Sequence, residues 1–361
     1  MNILIVSGAF YPKNTPRAFR TTELAKQFCK MGHKVVIYIP KSDDDLSDFV
    51  SKYPIDIKNY MGAKSLINNS DLFSRIKQRL LRQFLEYPDI KIVDQLIKLL
   101  KLEHLTFDLL ITIAVPHPIH WAVGLLYKRG IKLAKTWIAD CGDPYMLCGT
   151  NQYSHPFYFR YIEKLWCNKC DYISVPTEAS KAGYYSEFLH KIKVIPQGFD
   201  FSEIKLKKYV KNEVPVFAFS GNLIPKVRDP RPFLDYLVTL DIDFKFVLFA
   251  TKHHLVEPYL KKIPNKIELH DYIPRLELIY YLSGVDFLVN IENVTTVQTP
   301  SKLIDYSLTG RPILSVNPNN INMTVIQEFL HGDYSHQYLV KNIDEYNIVN
   351  VANKFIELVN V

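Results

Sequence analysis

The chain opens twice in the same way, and this repetition constrains its fold more than any other feature. Ile3-Leu4-Ile5-Val6 is an unbroken apolar run, broken by Ser7-Gly8-Ala9-Phe10-Tyr11-Pro12 and followed by a segment with Phe19, Leu24, Ala25 and Phe28 apolar that ends near Gly32. The order returns at Val216-Phe217-Ala218-Phe219, then Ser220-Gly221-Asn222, then a helical stretch over 232–240. A short continuous apolar run reads as a strand covered on both faces, the signature of a parallel sheet. A glycine loop that leads from such a strand into a helix is the start of a β-loop-α-β unit. Further strands are expected at 35–39, 109–113, 136–138, Tyr172–Val175 and 193–195, and in the second half at 246–249, 267–269, 287–289 and Ile313–Val316. The predicted fold class is therefore α/β, with two Rossmann-like domains facing each other across a central cleft. At 194–200 a strand runs into a Pro/Gly turn, and a charged stretch follows at 205–213. The expected domains are 1–197 and 198–345, with the terminal segment 346–361 and its helix over 348–359 able to cap either half.

Composition sharpens this reading. A chain of 361 residues suits two domains of about 100–200 residues each. With 48% hydrophobic and 22% charged residues it has a globular balance, which excludes disordered and collagen-like chains. The longest stretch without a charged side chain, 109–127, is interrupted by Pro116, His117, Pro118 and His120, so no transmembrane helix is expected. No basic segment precedes an apolar one at the N-terminus, and five cysteines suit a reducing compartment, so a cytoplasmic location is expected. The formal net charge of +7 divides into +9 over 1–197 and −2 over 198–361, so the first half is expected to face something anionic. Leu72–Leu85 carries Arg75, Lys77, Arg79 and Arg82, no acid, and an apolar stripe of Leu72, Phe73, Ile76, Leu80 and Phe84. Such a helix suits an anionic membrane surface, with Arg75, Arg79 and Arg82 on lipid headgroups. The plain alternative is a surface helix packed on its own domain. A nucleic-acid role is disfavoured, because the basic residues alternate with an apolar stripe.

The most specific segment is 299–314. Pro300 suits a helix start, and the first-turn amides of Ser301, Lys302 and Leu303, with the helix dipole, form an anion site. Lys302 adds a point charge for a phosphate. Asp305, one turn on, can accept from the two hydroxyls of a ribose. The loop Ser220-Gly221-Asn222 supplies a glycine that lets a ligand approach the backbone, and Arg228 can pair with a diphosphate.

These segments, with Arg228-Asp229-Pro230, 194–200 and Pro16-Arg17-Ala18-Phe19-Arg20 followed by Gly32-His33-Lys34-Val35, resemble family-four glycosyltransferases of the GT-B fold, above all bacterial enzymes that build capsule, O-antigen or exopolysaccharide. The resemblance implies that Gly221 and Asn222 face the donor diphosphate, that Arg228 clamps it, and that the amides at Ser301, Lys302 and Leu303 bind its phosphates. It implies that Asp305 holds the ribose and that the turn around Tyr272 and Ile273 reads the nucleobase. It further implies a nucleotide-diphosphate-sugar donor, a lipid-diphosphate-linked glycan acceptor, retention of anomeric configuration and no metal or other cofactor. The family often has Glu, seven residues, then Glu; here Val297 takes the first place and Asp305 the second, so the donor-sugar contact is expected from Asn293 or Glu292.

In the first half the resemblance places His117 at the reacting centre, where a histidine can bond a sugar hydroxyl or steady developing charge. His120 reads as a packing residue. Asp140 and Asp143 either position an acceptor hydroxyl or brace Arg17 and Arg20. Cys141, Cys148, Cys167 and Cys170 could form a four-thiolate set on paper, but the last two fall on a predicted helix, and no metal site is expected. Two further readings compete: a sugar-nucleotide 2-epimerase of the same fold, and a non-catalytic protein that docks on a membrane assembly.

Overall fold

The computed structural model describes residues 1–63, 71–104, 106–147, 155–293 and 301–359. Cys148, Val297 and Pro300 lie outside the described residues. The chain forms two compact units, Met1–Phe199 with Glu345–Val361, and Asp200–Asp344.

The first unit runs β1 (Asn2–Ser7), α1 (Pro16–Lys30), β2 (Lys34–Pro40), α2 (Ser47–Lys52), β3 (Ile55–Tyr60), α3 (Leu72–Leu85), α4 (Lys91–Leu100), β4 (Phe107–Ala114), α5 (Pro118–Lys128), β5 (Ala134–Cys141), α6 (Phe159–Lys169), β6 (Tyr172–Val175) and β7 (Ile192–Val194). The strands form one parallel sheet in the order β3-β2-β1-β4-β5-β6-β7. The opening apolar run is explained by its two faces: Leu4 and Val6 enter one core, Ile3 and Ile5 the other. Helix α1 begins where the Thr15 side chain accepts from the Ala18 amide at 3.2 Å, with Pro16 as its first residue.

The second unit runs β8 (Val216–Ser220), α7 (Arg231–Val238), β9 (Lys245–Phe249), α8 (Glu257–Lys262), β10 (Ile267–His270), α9 (Arg275–Leu282), β11 (Phe287–Ile291), α10 (Ser301–Leu308), β12 (Ile313–Val316) and α11 (Met323–Leu330). Its parallel sheet has the order β10-β9-β8-β11-β12. Strand order reverses at β8, so the loops after β8 and β11 flank the switch point where open α/β sheets bind ligands.

Two differences from the sequence expectations, and one point those expectations left open, have physical causes. The units divide after Phe199 rather than after 197, because the Phe199 amide donates to the Tyr346 carbonyl at 2.8 Å and its carbonyl accepts from the Ile348 amide at 2.9 Å. The terminal helix α12 (Ile348–Glu357) joins the first unit by burying Ile348, Val351, Ala352 and Phe355 in its core. Strand β3 was not expected, since Asp56, Lys58 and Asn59 dilute its apolar residues; as an edge strand it needs only part of its surface buried.

Helix α3 matches its expected bounds, and Asp71 caps it by accepting from the Ser74 amide at 3.0 Å. Its apolar stripe does not pack on its own unit. Leu72 is 73% exposed and Phe73 74%, while Ile76, Leu80 and Phe84 are also exposed. Helix α3 is a surface helix whose half-buried residues include Ser74, Gln78 and Leu81, and Arg75, Arg79 and Arg82 share its exposed side with the apolar stripe.

Candidate functional site

In the second unit the loop after β8 and the start of α10 converge. Gly221 has φ +138, and a Cβ there would lie 3.7 Å from Arg228 Nη1 and 3.8 Å from Lys302 Cδ. The Arg228 guanidinium is aimed by two acceptors: Nε donates to Asn293 Oδ1 at 3.0 Å and Nη1 to the Asn222 carbonyl at 3.3 Å. The Asn222 side chain in turn accepts from Thr251 at 2.9 Å. Asn293, expected to touch the donor sugar, thus spends its oxygen on holding Arg228. Lys226 is exposed.

Lys302 is the unusual group. Its ammonium is buried, has no hydrogen-bond partner, and lies 4.6 Å from the centre of the Phe219 ring. Burial, reinforced by the neighbouring Arg228, pushes its pKa well below the usual lysine value. Burial also lowers that of Arg228. Among the described residues no carboxylate pairs with either cation. An isolated buried ammonium is costly, and the two cations beside a glycine and the first turn of an eight-residue helix make a socket whose charge suits an anion. Ser301 and Leu303 contribute backbone at this turn, and the Leu303 side chain belongs to the core beneath.

The socket is anchored from below. Tyr306, one turn after Lys302, is buried, and its hydroxyl accepts from the Ser220 amide at 2.7 Å, which ties α10 to the glycine loop. Asp305, which the resemblance assigns to the ribose, has its Oδ1 accepting from Arg275 Nε and Nη2 at 2.9 and 2.6 Å. Burial raises the Asp305 pKa, with Arg275 opposing. Tyr306 and Arg275 were missed by the sequence reading. The visible signals were a tyrosine one helical turn from Lys302 and an arginine opening α9 directly after the turn at 269–274. In that turn Tyr272 is 56% exposed, and Ile273 packs against the core.

In the first unit, of the two alternatives left open for Asp140 and Asp143, Asp140 takes the brace. Arg20 and Asp140 are both buried, bonded Nη2 to Oδ1 at 2.8 Å and Nε to Oδ2 at 3.1 Å. Arg20 also donates to the Pro196 carbonyl at 2.6 Å, and Ser174 donates to Asp140 at 2.7 Å. These two residues are therefore a buried brace between α1, β5 and the chain after β7; they are too enclosed to meet an acceptor. Arg17 lies 3.7 Å from Asp140 and packs on Gly142, where a Cβ would meet its guanidinium carbon at 2.5 Å. Asp143 is exposed. Burial opposes the charged form of Asp140, but the two arginines outweigh it and lower its pKa.

His117 precedes α5 directly and is buried, with its ring 4.8 Å from Tyr145 and 5.9 Å from His120. Its Nδ1 has no partner. Burial, aided by His120, His155 and Arg17, drives its pKa well below 6.5. At neutral pH it is an uncharged imidazole, suited to hydrogen bonding rather than to supplying positive charge. His120 is a packing residue: Nδ1 meets Thr112 Oγ1 at 2.7 Å and Nε2 meets Cys141 Sγ at 3.3 Å. Among the described residues no group of three or more His, Cys, Asp or Glu side chains is placed to hold a metal ion.

Sheet topology in both units and the socket at a switch point define a class, the GT-B fold. Solved structures bear this out over the whole chain. The lipopolysaccharide outer core galactosyltransferase WaaB is similar at TM-score 0.62 and 12% identity, covering 100% of this chain and 99% of that one. HepE of Anabaena, crystallised with UDP and glucose, is similar at TM-score 0.59 and 12% identity over 100% and 99%. The UDP-GlcNAc 2-epimerase of Neisseria meningitidis, bound to UDP-GlcNAc, is similar at TM-score 0.57 and 14% identity over 100% of both chains. No protein-family model and no curated sequence matches the chain.

Proposed function

We propose that the protein is a glycosyltransferase that moves a sugar from a nucleotide-diphosphate donor to a hydroxyl of a glycan acceptor. The observation that carries this reading is the unpartnered Lys302 ammonium beside Arg228 at the start of α10. In such a transfer the acceptor oxygen bonds to the anomeric carbon, the bond from that carbon to the diphosphate oxygen breaks, and its electron pair leaves with the diphosphate. Charge grows on the leaving group, where Arg228, Lys302 and the α10 amides stabilise it electrostatically. This preorganised positive charge supports a metal-independent reaction. The acceptor hydroxyl passes its proton to an oxygen of the departing diphosphate as the bond forms, and neutral His117 is the first-unit group suited to hydrogen-bond a substrate hydroxyl.

Finer features belong to the same reading. Retention of configuration and a hexosyl donor follow from the resemblance to family-four enzymes. A lipid-diphosphate-linked acceptor and assembly of a bacterial surface polysaccharide follow from the same resemblance, and placement of a cytoplasmic enzyme at the inner face of the membrane is supported by α3. That helix joins an uncovered apolar face to Arg75, Arg79 and Arg82, and its charge complements anionic lipid. Among the described residues no helix is long and apolar enough to cross a membrane.

The second reading is a sugar-nucleotide 2-epimerase, favoured by the like folding of the Neisseria enzyme. Incubating the purified protein with nucleotide sugars separates the two. The transferase reading expects free nucleoside diphosphate and a glycosylated acceptor, formed only when acceptor is present. An isomerised nucleotide sugar formed without acceptor would replace it with the epimerase.

A further inference from the structure

The first unit contains a groove that none of this uses. Its cavity of about 780 Å³ is lined chiefly by Phe84, Leu147, Phe157, Tyr158, Arg160 and Tyr185, within the size range of ligand pockets. Leu147, Phe157 and Tyr158 are all exposed, so three large apolar side chains face an open trough. The walls are tied together: the Tyr158 hydroxyl donates to the Phe84 carbonyl, and the Tyr145 hydroxyl donates to Glu86 at 2.9 Å. Both bonds fasten the end of α3 to the body of the unit, so the trough is continuous with the uncovered face of that helix. Beneath it Glu163 is buried, accepting from the Met146 amide at 3.3 Å. Burial lifts its pKa to about 7, and no carboxylate is among the residues that line the groove. At the rim Arg160 is exposed, its guanidinium 5.2 Å from the Tyr161 ring centre.

We propose that this groove seats the hydrocarbon anchor of a lipid-linked acceptor, with Arg160 at the rim meeting the phosphate that joins lipid to glycan. An apolar trough with one cationic edge complements a single chain bearing an anionic head, whereas contact with the bulk bilayer uses the open stripe of α3. The biological sense of this site rests on the lipid-linked acceptor proposed above. Its occupancy is measured without nucleotide or sugar transfer, so the two ideas fail separately.

The test titrates the full chain with soluble alkyl phosphates of eight, ten and twelve carbons. Affinity is expected to rise about fourfold per added methylene, the fold-change equivalent to burying one in an apolar site. Leu147→Glu with Phe157→Glu, both at exposed positions, is expected to flatten that dependence, with the circular dichroism spectrum unchanged as the check on folding. Arg160→Gln is expected to weaken alkyl phosphates roughly fivefold while leaving alkanols of equal length unaffected. Reversing Arg75, Arg79 and Arg82 to Glu is expected to leave alkyl-phosphate affinity within about twofold. Length-independent binding, a double variant that binds like the wild type, or equal loss in the α3 variant would each overturn the proposal. If the double variant does not fold, Tyr185→Gln alone, expected to shorten the length dependence, takes its place.

Discussion

Each unit places a pair of cations near the carboxyl edge of its parallel sheet, and the two pairs are treated oppositely. Arg17 and Arg20 surround the Asp140 carboxylate, with Ser174 and a backbone carbonyl completing the bonds. Arg228 and Lys302 have a glycine, an asparagine and a helix start around them, and among the described residues no carboxylate. The first pair is finished inside the fold and serves as structure. The second has no carboxylate partner among the described residues, which is why a diphosphate is proposed to complete it. Charge alone therefore does not mark a binding site; uncompensated charge does.

The contrast can be broken from the structural side first. Asp140→Ala leaves two buried guanidinium groups without their counter-charge, and we expect a loss of about 3–5 kcal/mol in urea unfolding. A loss under about 1 kcal/mol would show that the brace is not the structural pair it is taken to be. On the other side, Lys302→Ala and Arg228→Ala should each lower donor turnover by ~10–1000-fold in a coupled assay of nucleoside diphosphate release, with folding retained. Wild-type rates in both variants would dismiss the clamp.

Removing charge from the two pairs should act in opposite directions: Asp140→Ala destabilises, whereas uncharging Lys302 stabilises. Burial and Arg228 hold the Lys302 pKa below 10.5, so the unfolded chain keeps this proton to higher pH than the folded one. Stability then rises with pH between the depressed value and 10.5; the penalty is full below that window and gone above it. Lys302→Met, similar in volume and uncharged, should melt higher than wild type at neutral pH, and the gap should close as pH approaches 10.5. His120 gives a second titration of the same sign, in acid. Burial holds its pKa down to about 3, so stability is lost as pH falls from 6.5 toward that value. His120→Gln should flatten this loss in melting curves taken from pH 7 to 4. Smallest is the surface effect: reversing Arg75, Arg79 and Arg82 to Glu should abolish sedimentation with anionic vesicles at low salt, while stability changes by no more than about 0.5 kcal/mol.

The doubled architecture was legible because apolar runs such as 3–6 and 216–219 must be covered on both faces. Helix α3 was readable to its end residues, but not the direction of its stripe, since periodicity shows that a face exists and not what covers it. Gly221, Arg228 and Lys302 were legible as one constellation because each sits beside a strand end or helix start whose place the alternation sets. The brace of Arg20 on Asp140 was legible only as one of two alternatives, because the bond spans 120 positions and nothing local decides between them. Arg275 on Asp305 and Tyr306 on Ser220 were hidden for the same reason, at separations of 30 and 86.

Calorimetric titration of wild type, Lys302→Met and Arg228→Met with UDP, in buffers of differing ionisation enthalpy, reaches the centre of the account. A pyrophosphate seated between the two cations restores the Lys302 proton, so wild type should bind with proton uptake at alkaline pH. Lys302→Met should bind at least about tenfold more weakly and take up none. Equal affinity in all three proteins, or binding without proton exchange in wild type at every pH, would contradict the claim that this socket grips a diphosphate.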